Sequence, residues 1–376
     1  MNLGFGLYVH IPFCVRKCPY CDFVSAPVGR DDRVAYLQAL ESEIRHSEWK
    51  GQTARTIYLG GGTPSELEPD DLGRLVDTIR DTFRLVPDAE CSIECNPGTL
   101  SPSKLEAMRS MGFNRLSLGA QSFSDRLLGV LGRIHTGDAV RESYSLVRAA
   151  GFDNLNLDLI FGIPGQTLED WQNDLHEALQ LRPEHLSLYG LTIEPDTEFG
   201  KLKEQGRLRE ADEEVAASMC EVAVEMTADA GYEQYEISNF ALPGKECRHN
   251  LIYWRNEEYL GFGVSAASYV GGARRCNTKD RRAYVEALSQ GRLPSREEER
   301  LDARSALGEE IMLRLRLADG FSSSHLRDKY GLDPDVIYAD PLSFLVSEGL
   351  LARQNGVVRL TPRGRLLANE VCRQFL

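Results

Sequence analysis

The amino-acid sequence predicts an α/β protein: an incomplete (β/α)6 barrel followed by a small, mainly helical, winged-helix-like C-terminal domain. Three observations carry that expectation. Strand-like and helix-like segments alternate six times through the first half, the pattern of a parallel sheet with right-handed crossovers. Several of those strands alternate polar and apolar residues, so one face of the sheet is polar. From Arg281 onward the texture becomes helical and nearly charge-balanced, and the chain ends in a helix, a short hairpin and a closing helix.

Residues 3–10 read as a strand that ends in a cysteine loop. Residues 31–46 have helical periodicity, and 55–59 form a strand stopped by Gly60-Gly61-Gly62-Thr63-Pro64. Residues 69–83 read as a helix and 90–95 as a strand. Residues 101–111 read as a helix, with Ser101 as N-cap and Pro102 in the first turn. The next strand is 115–121, and helices follow through 150. Residues 154–161 are a strand, 168–180 a helix and 185–191 a strand. A helical stretch lies within 201–231. Residues 334–347 read as a helix, 349–353 and 357–360 as a hairpin, and 362–375 as a final helix. The expected division is 1–235 for the barrel, 236–290 for a connecting region and 291–376 for the C-terminal domain.

The polar face is explicit in particular strands. Asn154, Asn156 and Asp158 share one side of their strand, and Leu155, Leu157 and Leu159 the other. Glu94 points away from Cys91, Ile93 and Cys95. Arg115, Ser117 and Gln121 align. A closed eight-stranded barrel fills its interior with branched apolar side chains. An open barrel of fewer strands is wider, so a polar lumen can hold a ligand. Glu94, Gln121 and Asp158 all fall at C-terminal strand ends.

Bulk properties bound the function. A chain of 376 residues suggests two or three domains. Net charge is −14, which argues against broad binding to nucleic acid or to an anionic membrane. The nine cysteines are an odd count with three crowded into one loop, a poor disulfide framework and a sign of a reducing compartment. The first residues carry no basic stretch or cleavable apolar core. No apolar run approaches the roughly 18 residues needed to span a bilayer. Cytoplasm is the expected compartment.

Cys14, Cys18 and Cys21 carry the chemistry. Three closely spaced thiolates can hold three corners of a [4Fe–4S] cube and leave the fourth iron open, whereas a closed site needs four. The same cysteines could form a zinc loop or simply pack. The glycine tract lets backbone approach a ligand without Cβ interference, although a tight strand-to-helix turn would use the same residues. Glu94, Gln121, Arg133 and Asp158 together could bind a zwitterion bearing a ribose. Each alone could equally be a solvated strand end.

With a strand before it and an aromatic after it, Cys-x-x-x-Cys-x-x-Cys resembles the radical SAM superfamily. The resemblance implies a radical SAM barrel with a [4Fe–4S] cluster on Cys14, Cys18 and Cys21 and S-adenosylmethionine on the open iron. Tyr8-Val9-His10-Ile11-Pro12-Phe13-Cys14, the glycine tract, Gln121-Ser122-Phe123 and the run from Asp158 to Thr167 are similar to the coproporphyrinogen-dehydrogenase-like branch, over nearly the whole chain. In that branch Tyr8, Gly61, Glu94 and Ala267 would contact the cluster-bound cofactor. Tyr20, Gly62, Thr63, Gln121, Arg133, Asp158 and Gly190 match contacts to a second S-adenosylmethionine.

Two features separate subfamilies. The dehydrogenase carries a further cysteine two positions after the third, where this chain has Phe23, and an N-terminal extension before its first strand. This chain instead has His249-Asn250-Leu251-Ile252-Tyr253-Trp254, which matches the His-Asn-x-x-Tyr-Trp signature of the haem-chaperone (HemW-like) group. The resemblance implies haem as a third ligand and haem-accepting respiratory proteins as partners, with peripheral contact where an acceptor is membrane-bound. Neutral imidazole is a good haem ligand and aromatic rings stack on porphyrins. So His249, Asn250, Tyr253 and Trp254 are candidate haem contacts, with Cys247 as an alternative ligand. The other reading of the hexapeptide is a packed structural corner. Cys91, Cys95, Cys220, Cys276 and Cys372 read as packing residues. The alternative functions are oxygen-independent oxidative decarboxylation of coproporphyrinogen III, and radical methyl transfer.

Overall fold

The computed structural model describes residues 4–376. Leu3, the first residue of the expected first strand, lies outside the described residues. Six strands with intervening helices form the barrel: β1 Phe5–Ile11, α1 Arg30–Arg45, β2 Thr53–Gly61, α2 Pro69–Thr82, β3 Arg84–Cys95, α3 Pro102–Ser110, β4 Arg115–Gln121, α4 Asp125–Val130, α5 Gly137–Ala149, β5 Leu155–Phe161, α6 Leu168–Leu181 and β6 His185–Gly190. The six strands lie side by side in chain order and every neighbouring pair is parallel. Ser101 caps α3 by accepting from the Lys104 amide at 3.2 Å. Thr167 and Asp170 close a capping box on α6. These two caps begin α3 and α6.

The apolar strand faces pack outward on the helices. Phe5, Leu7, Val9 and Ile11 join Tyr36, Leu40 and Ile44 of α1 in one core that continues through Leu116, Leu118, Leu155, Leu157 and Trp171. The polar faces turn inward.

The barrel stays open, because β1 pairs with β9 on its free side and β6 with β8. After β6 come α7 Glu198–Glu204, α8 Glu213–Asp229, β7 Glu233–Gln234, β8 Asn239–Ala241, α9 Arg248–Trp254, β9 Tyr259–Phe262, β10 Ala267–Val270, β11 Ala273–Asn277, α10 Arg281–Ser289 and β12 Arg296–Arg300. Residues 233–300, which include the expected connecting region 236–290, therefore extend the barrel sheet at both edges, giving twelve strands in that sheet among the described residues. Helix α9 lies across the N-terminal end of the lumen. A Cβ on Gly6 would fall 2.7 Å from Ile252 Cδ1. Glu90 of β3 accepts from the Arg248 and His249 amides at 3.1 and 2.9 Å. No helix among the described residues is long and apolar enough to cross a membrane, and all nine cysteines are free thiols.

The C-terminal domain contains α11 Ala303–Leu315, β13 Phe321–Ser322, α12 Ser323–Tyr330, α13 Pro334–Ile337, α14 Ala339–Ser347, β14 Leu351–Gln354, β15 Val357–Leu360, α15 Pro362–Leu366 and α16 Ala368–Cys372. It has its own core around Leu307, Ile311, Phe321, Leu342 and Phe375. The helix expected over 334–347 is two helices. Pro341 cannot donate to a preceding turn, so the helix restarts just before it, at Ala339. The helix expected over 362–375 also breaks, at Leu367. The hairpin turns on Asn355 and Gly356, both at positive φ, as a two-residue type I′ loop requires.

Glu43 of α1 fastens the added strands to the barrel. It is buried and accepts from the Gly263 amide at 2.8 Å, Asn277 Nδ2 at 2.8 Å, Tyr284 Oη at 2.6 Å and Arg296 at 3.0 Å. Removing it leaves four donors without their acceptor in a largely dry site. Glu43→Ala is expected to destabilise the protein by about 3–5 kcal/mol, read as a lowered urea midpoint.

Candidate functional site

The cysteine loop leaves the C-terminal end of β1 and is pinned at its base. The Cys14 amide donates to Ala26 O at 3.3 Å, and the Ala26 amide to Pro12 O at 3.0 Å. His10 spans the loop, with Nε2 2.8 Å from Val24 O and Nδ1 2.9 Å from Tyr8 Oη. The glycine tract at the end of β2 packs directly against it. The Gly62 and Thr63 amides donate to Ile11 O at 2.8 Å and Phe13 O at 2.6 Å. A Cβ on Gly62 would lie 2.4 Å from Phe13 O. Gly61, at φ +111°, would place one 2.4 Å from the His10 ring. The glycines are thus required for loop packing as well as for ligand approach.

Inside the barrel the polar alternation forms one network. Glu94 accepts from Tyr58 Oη at 2.9 Å and from the Gly61 amide at 3.0 Å. Burial, reinforced by the charge of Asp158, raises its carboxyl to about 7. Asp158 accepts from Ser117 Oγ at 3.0 Å and Asn156 Nδ2 at 2.8 Å, and burial raises its carboxyl too. Arg115 is the cation that acts on Asp158, and Glu94 has only neutral donors, so the pair is suited to a cationic or hydroxylated ligand. Arg133 donates to Gly119 O at 3.1 Å, to Asn96 Oδ1, and towards Cys18 Sγ at 3.6 Å, which sets a positive charge beside the cysteine loop. Gln121 sits at φ +66° with a buried Oε1 that has no partner. Thr63 Oγ1 accepts from Asn96 Nδ2 at 2.7 Å.

A cavity of about 390 Å³ joins these groups. Its wall brings together Cys14, Cys18, Cys21, Tyr20, Gly61, Gly62, Thr63, Glu94, Gln121, Arg133, Asp158, Gly190 and Asn250. Tyr8 lies behind that wall, bonded to His10 and ranged against Tyr58 at 6.3 Å. Ala267 lies outside it, packed against Gly261 of β9. Tyr58, Asn96, Ser187 and Tyr189 also line the cavity and were not singled out from the sequence. The signal for three of them was present: Tyr58 and Glu94 face each other across parallel strands, and Ser187 and Tyr189 continue the inward period of β6.

The His-Asn-x-x-Tyr-Trp segment is α9. His249 is fully buried, with Nδ1 2.7 Å from Thr56 Oγ1 and Nε2 2.7 Å from Tyr253 Oη. Its ring stacks on Tyr58 at 5.1 Å and 24°. Burial, and secondarily the charge of Arg55, lowers its pKa to about 3, so the ring is neutral. Both nitrogens are engaged by protein hydroxyls, and neither faces the cavity in this conformation. Tyr253 packs edge-on against Tyr259 at 4.6 Å, and Trp254 lies under the Arg316 guanidinium at 5.2 Å. Only Asn250 of the four reaches the cavity wall, together with Cys247. Burial and then the Glu90 charge push the Cys247 thiol up to about 12. The segment is thus a packed corner at the barrel floor.

The donor set suits an iron–sulfur cube better than a single ion. No three His, Cys, Asp or Glu side chains among the described residues converge tightly enough to hold one metal ion. A cube attaches each thiolate to a different iron and needs them further apart. All three loop cysteines open on one cavity, which Arg133 and the unpartnered Gln121 also line. The residues present fit a cluster with a polar ligand seated on its lumen side.

Comparison with known proteins agrees with this architecture. The model of the radical SAM superfamily matches residues 8–178, and that of the HemN C-terminal domain matches residues 301–367. The heme chaperone HemW of Bacillus subtilis (strain 168) is 40% identical over 98% of this chain and 98% of that protein. The heme chaperone HemW of Escherichia coli (strain K12) is 36% identical over 99% of this chain and 98% of that protein. Among solved structures, the coproporphyrinogen III oxidase HemN of Escherichia coli, a radical SAM enzyme, superposes with a TM-score of 0.86 at 27% identity, covering 99% of this chain and 90% of that one. The chain belongs to the HemW heme-chaperone family of the radical SAM superfamily.

Proposed function

We propose that this protein is a cytoplasmic haem chaperone that holds a [4Fe–4S] cluster on Cys14, Cys18 and Cys21, binds S-adenosylmethionine in the adjoining cavity, and binds haem for delivery to haem-accepting respiratory proteins. The observation that carries the reading is the junction of the three-cysteine loop with a carboxylate-lined cavity, in a chain whose near-full-length relatives are named heme chaperones. When bound, the cluster supplies an open iron site and a one-electron reductant. The chain's own residues do the rest. Burial raises the Cys14 and Cys21 thiols, so ligation must release their protons, and Arg133 offsets the charge left behind. Glu94 would take the ligand's ammonium, Asp158 its hydroxyls, and Gln121 and Arg133 its carboxylate. The neighbouring Tyr20, Gly62, Thr63 and Gly190 would pack the remainder.

A second reading is oxidative decarboxylation of coproporphyrinogen, favoured by the superposition on HemN. Phe23 at the position of that enzyme's extra cysteine, and the α9 motif, weigh against it.

The test is anaerobic reconstitution of the full chain, haem titration, and transfer to an apo-haem protein. Saturable haem binding with transfer, and no conversion of coproporphyrinogen, is the expected result; turnover without transfer would reverse the ranking. Replacing Cys14, Cys18 and Cys21 together by alanine is expected to abolish the cubane EPR signal after dithionite. A carboxyl raised to about 7 is charged only above that pH. Affinity for S-adenosylmethionine should therefore rise about tenfold from pH 6 to pH 8, and Glu94→Gln should flatten that dependence. Isothermal titration at each pH measures both.

A further inference from the structure

The His-Asn-x-x-Tyr-Trp helix is in contact with both the C-terminal domain and the strands that carry Glu94's neighbours. His249 sits at the centre of a chain of contacts that begins at the C-terminal domain and ends at the cofactor carboxylate. At the outer end Arg316 covers Trp254, and Arg314 donates to Arg255 O at 3.3 Å. The helix start is held by Glu90, which accepts from two of its amides. In the middle, His249 is fixed from both sides by Thr56 and Tyr253 at 2.7 Å each. Its ring lies flat against Tyr58, and Tyr58 Oη donates to Glu94 Oε1 at 2.9 Å. A Cβ on Gly6 would meet Ile252 and approach His249 Cε1 at 3.4 Å, so the bare backbone of β1 admits the helix to this position. The Thr56–His249 and Glu90–His249 contacts are buried, and the Tyr253–His249 and Tyr58–Glu94 contacts half-buried.

We propose that His249 is a positioning residue for Glu94: the motif helix is a strut that holds the Tyr58 hydroxyl against the carboxylate that receives the cofactor. The proposal rests on the reading of Glu94 as the ammonium acceptor, but its first test does not need the cofactor. Tyr58 donates to the ionised form of Glu94 and so favours it. Tyr8 of β1, Asp158 of β5, Tyr189 of β6 and Tyr253 of α9 also face Glu94. None of these donates to it, and Asp158 opposes its ionisation.

The experiment uses the full-length chain. In cluster-free protein the carboxylic C=O band of Glu94, assigned by its loss in Glu94→Gln, is titrated by infrared spectroscopy. His249→Phe removes both hydroxyl contacts, and the milder Thr56→Val removes one. The midpoint is expected near 7 in the unsubstituted protein. His249→Phe should raise it by about one pH unit, with Thr56→Val moving the same way by less; at pH 7 that shift weakens S-adenosylmethionine binding about fivefold. Tyr58→Phe should raise the midpoint as well, and combining it with His249→Phe should add nothing. The haem absorption spectrum of the reconstituted protein should be the same in all variants. An unmoved midpoint in His249→Phe overturns the proposal, as does a haem spectrum altered in the manner of a lost axial ligand. Should His249→Phe not fold, an unmoved midpoint in Thr56→Val overturns it. Failure of the unsubstituted protein to bind S-adenosylmethionine would sink the proposed function, while the infrared titration would still decide the role of His249.

Discussion

A partial barrel of parallel strands encloses more space than its inward side chains can fill, and the design of this protein follows from how that space is closed. At the C-terminal rim the cysteine loop folds over the opening, held down by contact between the Gly61–Gly62 backbone and the end of β1. At the opposite end α9 lies against Gly6, Thr56 and Glu90. Between the two covers remains a cavity whose walls are polar on most strands. Among the polar groups there, Gln121 Oε1 and Arg133 Nε are buried without a partner, which is costly unless a ligand or water completes them. The cavity therefore exists for a polar occupant.

Electrostatics narrows that occupant. Burial raises both carboxyls, Glu94 and Asp158; the charge of Asp158 raises Glu94 further, while hydrogen bonds and the Arg115 guanidinium favour the ionised form of Asp158. The opposite side of the cavity carries Arg133 beside the cysteines. A ligand with an ammonium and hydroxyls towards the carboxyls, and a carboxylate towards the arginine, satisfies both ends at once. This division of charge is what a bound amino acid with a nucleoside attached would require. The overall charge of −14 plays no part in it, because the relevant field is local to the lumen.

Much of this was legible in the sequence. Period-two alternation in β3, β4 and β5 identified the lumen face, and Ser101-Pro102 marked a helix start that the structure reproduces. The three-cysteine spacing pointed to a loop that the structure places on the cavity wall. The remainder depended on long-range pairing that no local pattern encodes. Short segments such as Tyr259–Phe262 and Asn239–Ala241 carry no strong strand period, and they become strands only because β1 and β6 offer unpaired edges. The two split helices near the C-terminus follow from one proline and one local break. His249 was the residue whose surroundings the sequence showed least. Histidine beside aromatics reads either as a porphyrin contact or as a packed corner, and in the structure two hydroxyls and a tyrosine ring surround it. Sequence proximity to Tyr253 could suggest that pairing; the contact with Thr56, 193 residues away, could not.

The central claim is that three thiolates leave one iron of the cube open to the lumen. Mössbauer spectroscopy of the anaerobically reconstituted protein, loaded with ⁵⁷Fe and recorded with and without S-adenosylmethionine, tests it most directly. The account predicts that a single iron of the four changes its isomer shift and quadrupole splitting when the ligand is added. Four irons that stay unchanged, or a spectrum lacking the cube altogether, would contradict it.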